Sequence, residues 1–293
     1  MEKSARKKSY QLQYLESLNA RTKSPYSQQQ YLLNLKKGYE GEQQFDERIE
    51  EYFEDDVTVI NDLLVSYNGS TAQIDTLLVI GDTFYLYEIK NYEGEFQKLP
   101  GQFRKLNGQE FICPSVQLNR TKKVLEQMTS QWNETVEIKP YVLFINASFT
   151  LFDANITDPF ILPTQINRHL KKLKNRNTKL SKAQVNIVNK LKSEQISNER
   201  YKETSHEFRY EDFRKGIICS DCQSFNVHLS QRQASCQECG GIYSIDKVIL
   251  NHIKEIDRLF PDVPITTLLI NDWVDDRVSV RRIRSYLKEN PII

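Results

Sequence analysis

Two runs of β-prone residues stand side by side in the middle of the chain, at residues 73–80 and 83–90, with Gly81-Asp82 between them. This dipeptide tolerates the positive φ of a two-residue loop, so the pattern predicts a tight β-hairpin. Side chains two apart on a strand point to the same face of the sheet. One face of the hairpin is therefore expected to be an apolar wall, formed by Leu77, Val79, Phe84 and Leu86.

The same face is expected to end in four polar side chains. With a two-residue loop, Asp75 lies opposite Glu88, and Gln73 lies opposite Lys90. Directly opposed carboxylates repel each other, and a purely structural sheet gains nothing from such a pair. A divalent cation converts the repulsion into ligation, and Mg²⁺ prefers carboxylates together with water and phosphate oxygens. The charged end of the hairpin is therefore the candidate site; the alternative is a solvated polar patch.

Helices and further strands are predicted on either side of the hairpin. A first helix is expected from near Gly41 to Phe53, because Gly38 and Gly41 each destabilise a helix interior by roughly 1 kcal/mol. This start places Glu42 in the first turn, where a carboxylate complements the helix dipole or, alternatively, reaches the hairpin site as a third acidic group. The remaining pattern predicts an α/β sandwich, completed by strands at 57–65 and 141–146, a turn at Asn68-Gly69, a continuation of the second hairpin strand at 95–97, a loop leading to Pro114 and a helix at 117–128.

Five short motifs lie in order along this region: GYEGE at 38–42, QID at 73–75, EIKN at 88–91 followed by Gly94, Pro114 with Gln117, and the apolar strand at 141–146. Together they resemble the nuclease-related (NERD) domain, a relative of the PD-(D/E)xK nucleases, over roughly residues 37–150. The resemblance implies an α/β, PD-(D/E)xK nuclease-like fold with a mixed sheet flanked by helices. It also implies a phosphodiesterase that depends on Mg²⁺ or Mn²⁺ and acts on DNA.

The resemblance places Asp75, Glu88 and Lys90 in the nuclease positions and Glu42 as the carboxylate of the first helix. In that arrangement Asp75, Glu88 and the carbonyl of Ile89 bind the catalytic metal, which polarises a phosphodiester oxygen and lowers the pKa of a bound water. Lys90 orients the water or stabilises charge that develops on the phosphate. Glu42 holds a second metal or a metal-bound water.

Two glutamines are further candidates at this site. Gln73 and Gln117 stand near the ends of their elements, where each either contacts substrate or is simply a solvated side chain. The competing class of function is a non-catalytic DNA- or RNA-binding protein that keeps the nuclease fold. A third class is a phosphodiesterase with RNA or a nucleotide as its substrate. The intact set of Asp75, Glu88 and Lys90 favours the enzyme over the binding protein, and DNA is its expected substrate.

Charge and hydropathy limit where the chain can act. The formal net charge of +1 excludes a globally basic protein, so a nucleic-acid surface must come from local segregation of charge. The most one-sided block, residues 168–192, has nine Lys or Arg and no Asp or Glu. It predicts a solvated amphipathic helix or helix pair or, alternatively, a phosphate-binding surface. No apolar run is long enough to span a bilayer, so a cytoplasmic location without membrane contact is expected.

Four of the five cysteines form two CxxC pairs separated by 13 residues: Cys219 with Cys222, and Cys236 with Cys239. In a reducing compartment this spacing points to metal rather than to disulfides. Four thiolates make a closed tetrahedral site, so the pattern predicts one structural Zn²⁺, and the segment resembles a zinc ribbon. Cys113 is expected to be a buried thiol.

The last thirty residues predict two short helices. Thr266 or Thr267 caps the first, Asp275-Asp276 forms a turn, and Ser279 caps the second. The pair is either a helix-turn-helix whose basic second helix enters a major groove, or a helical hairpin that packs on the ribbon. The exposed basic residues of the second helix are expected to be Arg281, Arg282, Arg284 and Lys288. The whole chain is then divided into a polar tail (1–30), a nuclease-like domain (31–165), a basic helical segment (166–212), a zinc ribbon (213–250) and a helix-turn-helix-like module (251–293).

Overall fold

The computed structural model describes residues 2–3, 6–53, 57–132, 134, 136–176, 179–196 and 208–290. The chain divides into two compact units. The first comprises Met1–Lys8 and Asn34–Asn198, and the second comprises Ser9–Leu33 and Glu199–Ile293. The sequence also predicts a connector of mixed charge at 201–214, and its first half, 201–207, lies outside the described residues.

The described strands are β1 (Glu2–Lys3), β2 (Thr58–Tyr67), β3 (Ser70–Ile80), β4 (Thr83–Lys90), β5 (Gly94–Leu99), β6 (Gln102–Lys105), β7 (Glu110–Ile112), β8 (Glu137–Phe144), β9 (Phe149–Phe152), β10 (Phe160–Ile161), β11 (Val227–Leu229), β12 (Gln233–Cys236) and β13 (Ile242–Ser244). The described α-helices are α1 (Tyr10–Arg21), α2 (Tyr26–Tyr52), α3 (Pro114–Gln131), α4 (Ile166–Lys174), α5 (Lys182–Ser193), α6 (Ile245–Leu259), α7 (Thr267–Trp273) and α8 (Val280–Glu289). None of these helices is long and apolar enough to cross a membrane.

The first unit is built on a six-stranded mixed sheet with the order β1-β2-β3-β4-β8-β10. Strands β2, β3 and β4 are antiparallel neighbours, whereas β8 runs parallel to β4. Successive residues of β4 enter opposite layers of core: Leu86 packs with α3 and α5, and Tyr87 packs with α2 and α4. The predicted α/β fold with a mixed sheet between helices is confirmed.

The basic block at 168–192 is divided between those two layers. Leu170 and Leu173 of α4 pack on one face of the sheet, whereas Ile187 and Leu191 of α5 pack on the other. Each helix buries an apolar stripe and exposes most of its lysines. The block therefore presents two separate basic faces rather than one continuous surface.

The central hairpin has the predicted two-residue loop. The β3–β4 ladder begins at the residues that flank Gly81-Asp82, and Gly81 has a φ of 57°. The last pair of the ladder is Thr76 with Tyr87. Four apolar side chains of the hairpin share one core layer as predicted: Leu77, Val79, Phe84 and Leu86.

The facing of β3 reverses next to Asp75. Ile74 and Leu77 pack in the same core layer, although three positions on a regular strand separate opposite faces. Strand β2 reverses at the adjacent position, where Asp62 has a φ of 53° in the left-handed region. Because both strands change their facing at one level, the regular sheet ends here and the edge of a cleft begins.

This reversal corrects two predicted pairs. The pairs Asp75–Glu88 and Gln73–Lys90 are not formed, because the β3–β4 ladder stops one step before Asp75. Gln73 instead pairs with Leu64 on β2 and is exposed. The simple alternation rule therefore failed at the position where the candidate site begins.

The predicted start of the first helix was wrong. Helix α2 is 27 residues long and continues through both glycines, so Glu42 lies in its interior and not in its first turn. At Gly41 an added Cβ would lie 2.7 Å from the Cβ of Asn91 and 3.1 Å from the Cγ2 of Ile145. Close packing against the sheet thus requires glycine at this position and outweighs the unfavourable helix propensity.

A second sheet of four short strands, the small sheet, includes β6 and β7, which lie in the region that was predicted to be a loop. Its order is β7-β6-β5-β9, and β5 belongs to it instead of continuing β4. Phe96 and Phe103 are buried in the same core layer as α3. The polar residues between Phe103 and Phe111 concealed β6 and β7, because short strands on a surface sheet lack a strong apolar alternation.

Where the structure describes it, the second unit combines a three-stranded sheet, β11-β12-β13, with helices α1, α6, α7 and α8 and the first residues of α2. Arg21 of α1 and Glu255 of α6 form a buried ion pair, with Nη2 of Arg21 at 2.7 Å from Oε2 of Glu255. The indole Nε1–H of Trp273 on α7 donates to the same oxygen at 3.0 Å. Helix α1, predicted as part of a polar tail, is thus an integral element of this unit.

Candidate functional site

A cleft of about 600 Å³ opens at the end of β4 in the first unit. Helix α2, strands β3 and β4, the small sheet and helix α3 all contribute to its lining. It contains every residue that the sequence placed in the nuclease-like site: Glu42, Gln73, Asp75, Glu88, Ile89, Lys90 and Gln117. The structure thus brings together predicted residues from four separate elements, α2, β3, β4 and α3.

Two carboxylates of the cleft are fixed by hydrogen bonds from β4. Oδ2 of Asp75 accepts the backbone N–H of Ile89 at 2.7 Å. Oε1 of Glu88 accepts from the ammonium of Lys90 at 2.6 Å. Each carboxylate uses one oxygen in these bonds and retains the other. The Glu88 side chain is 3% exposed, so its charge lies almost entirely out of water.

The charges of Asp75, Glu88 and Lys90 shift one another's pKa values. Burial, together with the nearby Asp75 carboxylate, raises the pKa of Glu88 to about 7, while Lys90 opposes the shift. Burial also raises the pKa of Asp75 against the opposing influence of Lys90 and the Ile89 N–H. Burial lowers the pKa of Lys90, but Glu88 and Asp75 outweigh it and the net shift is upward. The two carboxylates carry a net negative charge beside Lys90 only when both are ionised, and a bound divalent cation would favour that state.

Glu42 enters the cleft from the middle of α2. Burial, followed by the influence of Asp75, raises the pKa of Glu42 to about 8. Its Oε2 accepts from Nη1 of Arg6 at 3.0 Å, in an ion pair where the Arg6 side chain is 2% exposed. Sequence reasoning missed Arg6, because one arginine in a polar opening segment carries no local signal.

The donor set suits a hard divalent cation. Asp75 and Glu88 supply carboxylate oxygens from adjacent strands, and Mg²⁺ is usually held by one or two carboxylates plus waters and phosphate oxygens. Glu42 does not form a closed ligand set with Asp75 and Glu88, because the three side chains do not bring their oxygens close to one point. Among the described residues, the group of three or more metal-binding side chains whose ligand atoms do lie close together is the four cysteines of the second unit. The residues of the cleft therefore fit a cation held mainly by Asp75 and Glu88.

The far side of the cleft comes from the small sheet, which the sequence did not predict. Lys105, Gln109 and Phe111 line this side. The ammonium of Lys105 lies 5.6 Å from the centroids of both the Phe96 and Phe111 rings. Gln117 enters from the first turns of α3. Basic, amide and aromatic side chains therefore face the acidic edge across the cleft.

The second unit contains a separate candidate metal centre. The ligand atoms of Cys219, Cys222, Cys236 and Cys239 all lie within 4.8 Å of one another. The Sγ atoms of Cys219 and Cys239 are 3.6 Å apart, and those of Cys222 and Cys236 are 3.5 Å apart. Sulfurs around a tetrahedral Zn²⁺ at about 2.3 Å lie roughly 3.8 Å apart. The cluster is compatible with a zinc ribbon.

The other cysteine and the nearby histidine have structural places. Cys113 is a buried thiol, as predicted, with its Sγ 3.0 Å from Oγ of Ser115. His252 is buried; its Nε2 accepts the N–H of Ile218, and its Nδ1–H donates to the carbonyl of Val248. Both ring nitrogens of His252 are therefore engaged by the backbone.

The C-terminal helices follow the sequence prediction closely. Thr266 caps α7, Ser279 caps α8, and Asp275 and Asp276 between them both have a φ of 56°. Four basic side chains of α8 are exposed: Arg281, Arg282, Arg284 and Lys288.

Two contacts join this module to neighbouring parts of its unit. Arg277, in the turn, donates to the carbonyl of Val227 on β11 at 2.5 Å. Arg282 donates to Asp246 on α6 at 2.6 Å. The module thus packs on the ribbon while α8 keeps an exposed basic side.

Residues 37–145 match the family model of the nuclease-related domain. The match contains the candidate residues of the cleft and indicates a nuclease-related function. It ends before α4, so the basic helices and the second unit lie outside it. Searches of curated proteins and of solved structures found no match to the chain.

Proposed function

We propose that the first unit is a phosphodiesterase that cleaves DNA with the help of Mg²⁺, or of Mn²⁺ in its place. The observation that carries the proposal is the placement of Asp75 and Glu88, two carboxylates with raised pKa values, beside the Lys90 ammonium in one cleft. Strongly perturbed groups that converge in a cleft are typical of catalytic sites. The match to the nuclease-related domain supplies the class of reaction.

Asp75 and Glu88 hold the cation in this proposal, with the Ile89 carbonyl as the backbone donor beside them. When bound, the cation polarises a phosphodiester oxygen and lowers the pKa of a water. Nζ of Lys90 donates to Oε1 of Glu88 at 2.6 Å, which fixes the ammonium in the cleft. Its positive charge stabilises the negative charge that develops on the phosphate. Glu42 orients the attacking water or holds a second cation.

The remaining residues of the cleft serve substrate binding in this proposal. Gln73 and Gln117 contact the sugar-phosphate backbone through their amides, and Lys105 contacts a phosphate from the opposite side. Amide and ammonium donors of this kind position a nucleic acid without reading its sequence. The proposed substrate is therefore DNA of no fixed sequence.

The second unit is proposed to help in DNA binding. The four cysteines hold one structural Zn²⁺, and the exposed basic side of α8 contacts the phosphate backbone or a groove. The sequence-derived limits at 30 and 250 fall inside α2 and α6, and the limit at 165 separates α4 and α5 from the sheet on which they pack. In their place the two compact units are proposed as the domains, with the limit at 212 kept before the first cysteine pair. A cytoplasmic location is proposed as well.

The decisive experiment is a cleavage assay with purified protein, supercoiled plasmid and Mg²⁺ or Mn²⁺. Asp75→Asn should abolish nicking and Lys90→Ala should slow it by about 10²–10³, whereas Asp82→Asn in the hairpin loop should leave it unchanged. Asparagine keeps an acceptor for the Ile89 N–H, so the Asp75 variant tests charge rather than folding. Plasmid cleavage that survives Asp75→Asn would refute the proposal. DNA or RNA binding without cleavage by the wild type would assign the non-catalytic function.

A parallel assay with single-stranded RNA tests the choice of substrate. The wild type should cleave DNA in preference to RNA of the same length under identical metal conditions. A preference for RNA would keep the site and change the substrate class.

A further inference from the structure

Arg6 lies at the acidic edge of the cleft, although 36 positions separate it from Glu42 in the sequence. We propose that Arg6 is a positioning residue of the cleft, which fixes the Glu42 carboxylate relative to the backbone of β3. The inference rests on the proposed function, because Arg6 acts through Glu42 on the proposed metal site.

On the helix side, Arg6 binds two carboxylates of α2. Nε and Nη2 of Arg6 contact both oxygens of Asp46, at 2.8 and 3.1 Å. Nη1 donates to Oε2 of Glu42 at 3.0 Å. Asp46 follows Glu42 by four residues, so both carboxylates lie on one side of α2. The bidentate bond to Asp46 fixes the plane of the guanidinium, and this plane sets the direction from which Glu42 is held.

On the sheet side, Arg6 donates hydrogen bonds to residues of β2 and β3. Nη2 of Arg6 also donates to the carbonyl oxygen of Asp75 at 3.1 Å and to Oγ1 of Thr76 at 2.9 Å. Nη1 donates to Oδ1 of Asp62 at 2.9 Å, at the position where β2 reverses its facing. One planar group therefore binds the side chain of Glu42 and the main chain of Asp75. Their separation is set by the span of the guanidinium.

Arg6 binds one carboxylate oxygen of Glu42 and leaves the other, Oε1, without a bond to Arg6. Arg6 holds Oε2 of Glu42, and Oε1 makes no hydrogen bond to the part of the chain that the structure describes. Glu42 lines the cleft, so Oε1 remains for a ligand there. Arg6 thus anchors one oxygen of Glu42 and leaves the other for a cation or its water.

A simpler role for Arg6 is to neutralise three neighbouring carboxylates, and the chemistry of lysine separates the two roles. Lysine supplies the same charge as a point donor, but it has no planar fork and cannot hold Asp46, Glu42 and the Asp75 carbonyl in fixed directions. If charge alone matters, Arg6→Lys behaves as the wild type. If Arg6 positions Glu42, Arg6→Lys loses the effect while the protein stays folded.

The test is a double-mutant cycle on Mn²⁺ affinity, measured by titration calorimetry of the full chain without DNA. The variants are Arg6→Lys, Glu42→Gln and the double variant, with Arg48→Lys on the exposed side of α2 as control. Each of the first two should weaken Mn²⁺ binding at the cleft by about 10-fold, as is common for residues that support metal ligands. The double variant should bind no more weakly than Glu42→Gln alone, because Arg6 acts through Glu42.

The proposal is overturned by additive losses in the double variant, by wild-type affinity in Arg6→Lys, or by the absence of Mn²⁺ binding at the cleft in the wild type. If Arg6→Lys unfolds at the assay temperature, the same cycle is run in an Asp62→Asn background, which keeps the bidentate bond to Asp46 and leaves one carboxylate fewer that depends on Arg6. Coupled Mn²⁺ binding without plasmid cleavage would refute the proposed function alone, so the two failures are distinguishable.

Discussion

The side chain of Asp75 accepts the backbone N–H of Ile89 at 2.7 Å, immediately beyond the last pair of the β3–β4 ladder. A carboxylate thus takes the place of a backbone carbonyl where the two strands separate. Asp75 consequently has a structural bond through Oδ2 and a remaining oxygen in the cleft. A substitution that tests the chemistry of Asp75 without disturbing the fold must therefore keep an acceptor for the Ile89 N–H.

We expect Asp75→Ala to destabilise the first unit and Asp75→Asn to preserve it. Alanine leaves the N–H of Ile89 buried without an acceptor, which costs about 1–3 kcal/mol. Asparagine keeps an acceptor and removes one of two repelling charges, so in metal-free buffer its stability should equal or exceed that of the wild type. Thermal unfolding in EDTA and in Mg²⁺ measures both effects. Mg²⁺ should raise the melting temperature of the wild type but not that of Asp75→Asn.

We expect Lys90→Ala to lose turnover while still binding the cation. The ammonium of Lys90 is held by Glu88 at 2.6 Å, and loss of such a fixed charge typically lowers kcat by about 10²–10³. Mn²⁺ titration and single-turnover cleavage separate binding from chemistry. Lys37→Ala is the matched control, since Lys37 lines the same cleft but pairs with exposed Glu93. Equal losses of kcat in both variants would contradict a specific role for Lys90.

The parts of the fold that could be predicted depend on local chemistry. The loop at Gly81-Asp82 and the caps at Thr266 and Ser279 are determined by a few adjacent residues, and all three were predicted. The start of α2 was not, because it depends on how Gly41 packs against Asn91. A propensity scale contains no information about a neighbour so distant in sequence.

The candidate site divides in the same way. Asp75, Glu88 and Lys90 were predicted from one hairpin, although its loop sets the pairing only as far as Thr76 and Tyr87. Arg6 could not be found, because its carboxylate partners come from elements that meet only in the folded protein. The side of the cleft around Lys105 was also missed, since β6 and β7 are too short and polar to show a strand pattern.

We expect the protein to contain one equivalent of zinc when it is purified without added metal. The four sulfurs within 4.8 Å of one another would repel as thiolates unless a cation binds them. Elemental analysis should show near-equimolar zinc in the wild type and a loss of zinc in Cys236→Ser. Cys113→Ser is the control and should keep its zinc, because Cys113 lies outside the cluster. Chelation should first deprotect amides of β11 and β12 in hydrogen exchange, because metal binding there contributes to folding. Zinc that persists in Cys236→Ser would contradict this site.

We expect the two basic helices to contribute separately to DNA affinity. The exposed lysines of α4 and α5 lie on opposite layers of the sheet, so a single duplex contacts one set more closely than the other. The compared variants are Lys171→Gln/Lys172→Gln and Lys182→Gln/Lys190→Gln, measured as the slope of log K against log salt. The helix that contacts phosphate should lose about one unit of slope per contact. Unchanged slopes in both would assign the block to solvated helix faces.

We expect His169 to contribute stability to the first unit that is lost as the pH falls from about 6.5 towards 4. The hydroxyl of Tyr87, which is buried, lies 2.8 Å from Nε2 of His169, and a neutral imidazole accepts that hydrogen bond. Burial, aided by the charge of Lys172, lowers the pKa of His169 to about 4. An unfolded histidine titrates near 6.5, so the unfolded chain binds more protons between these pH values.

The stability contributed by neutral His169 is therefore complete above about pH 6.5 and decreases by about 2 kcal/mol between pH 7 and 5. The difference between the wild type and His169→Gln in hydrogen exchange of β4 amides at pH 7, 6 and 5 measures it, after correction for intrinsic exchange rates. The raised pKa values of Glu42 and Glu88 act in the opposite direction, but they do so in both proteins and cancel in this difference. His169→Gln should weaken protection at pH 7, and its deficit relative to the wild type should shrink towards pH 5. His228→Gln, at an exposed site in the second unit, should keep the wild-type dependence. If His169→Gln retained the full wild-type dependence, the proton would be taken up elsewhere, and the Tyr87 contact would not govern the acid sensitivity of the sheet.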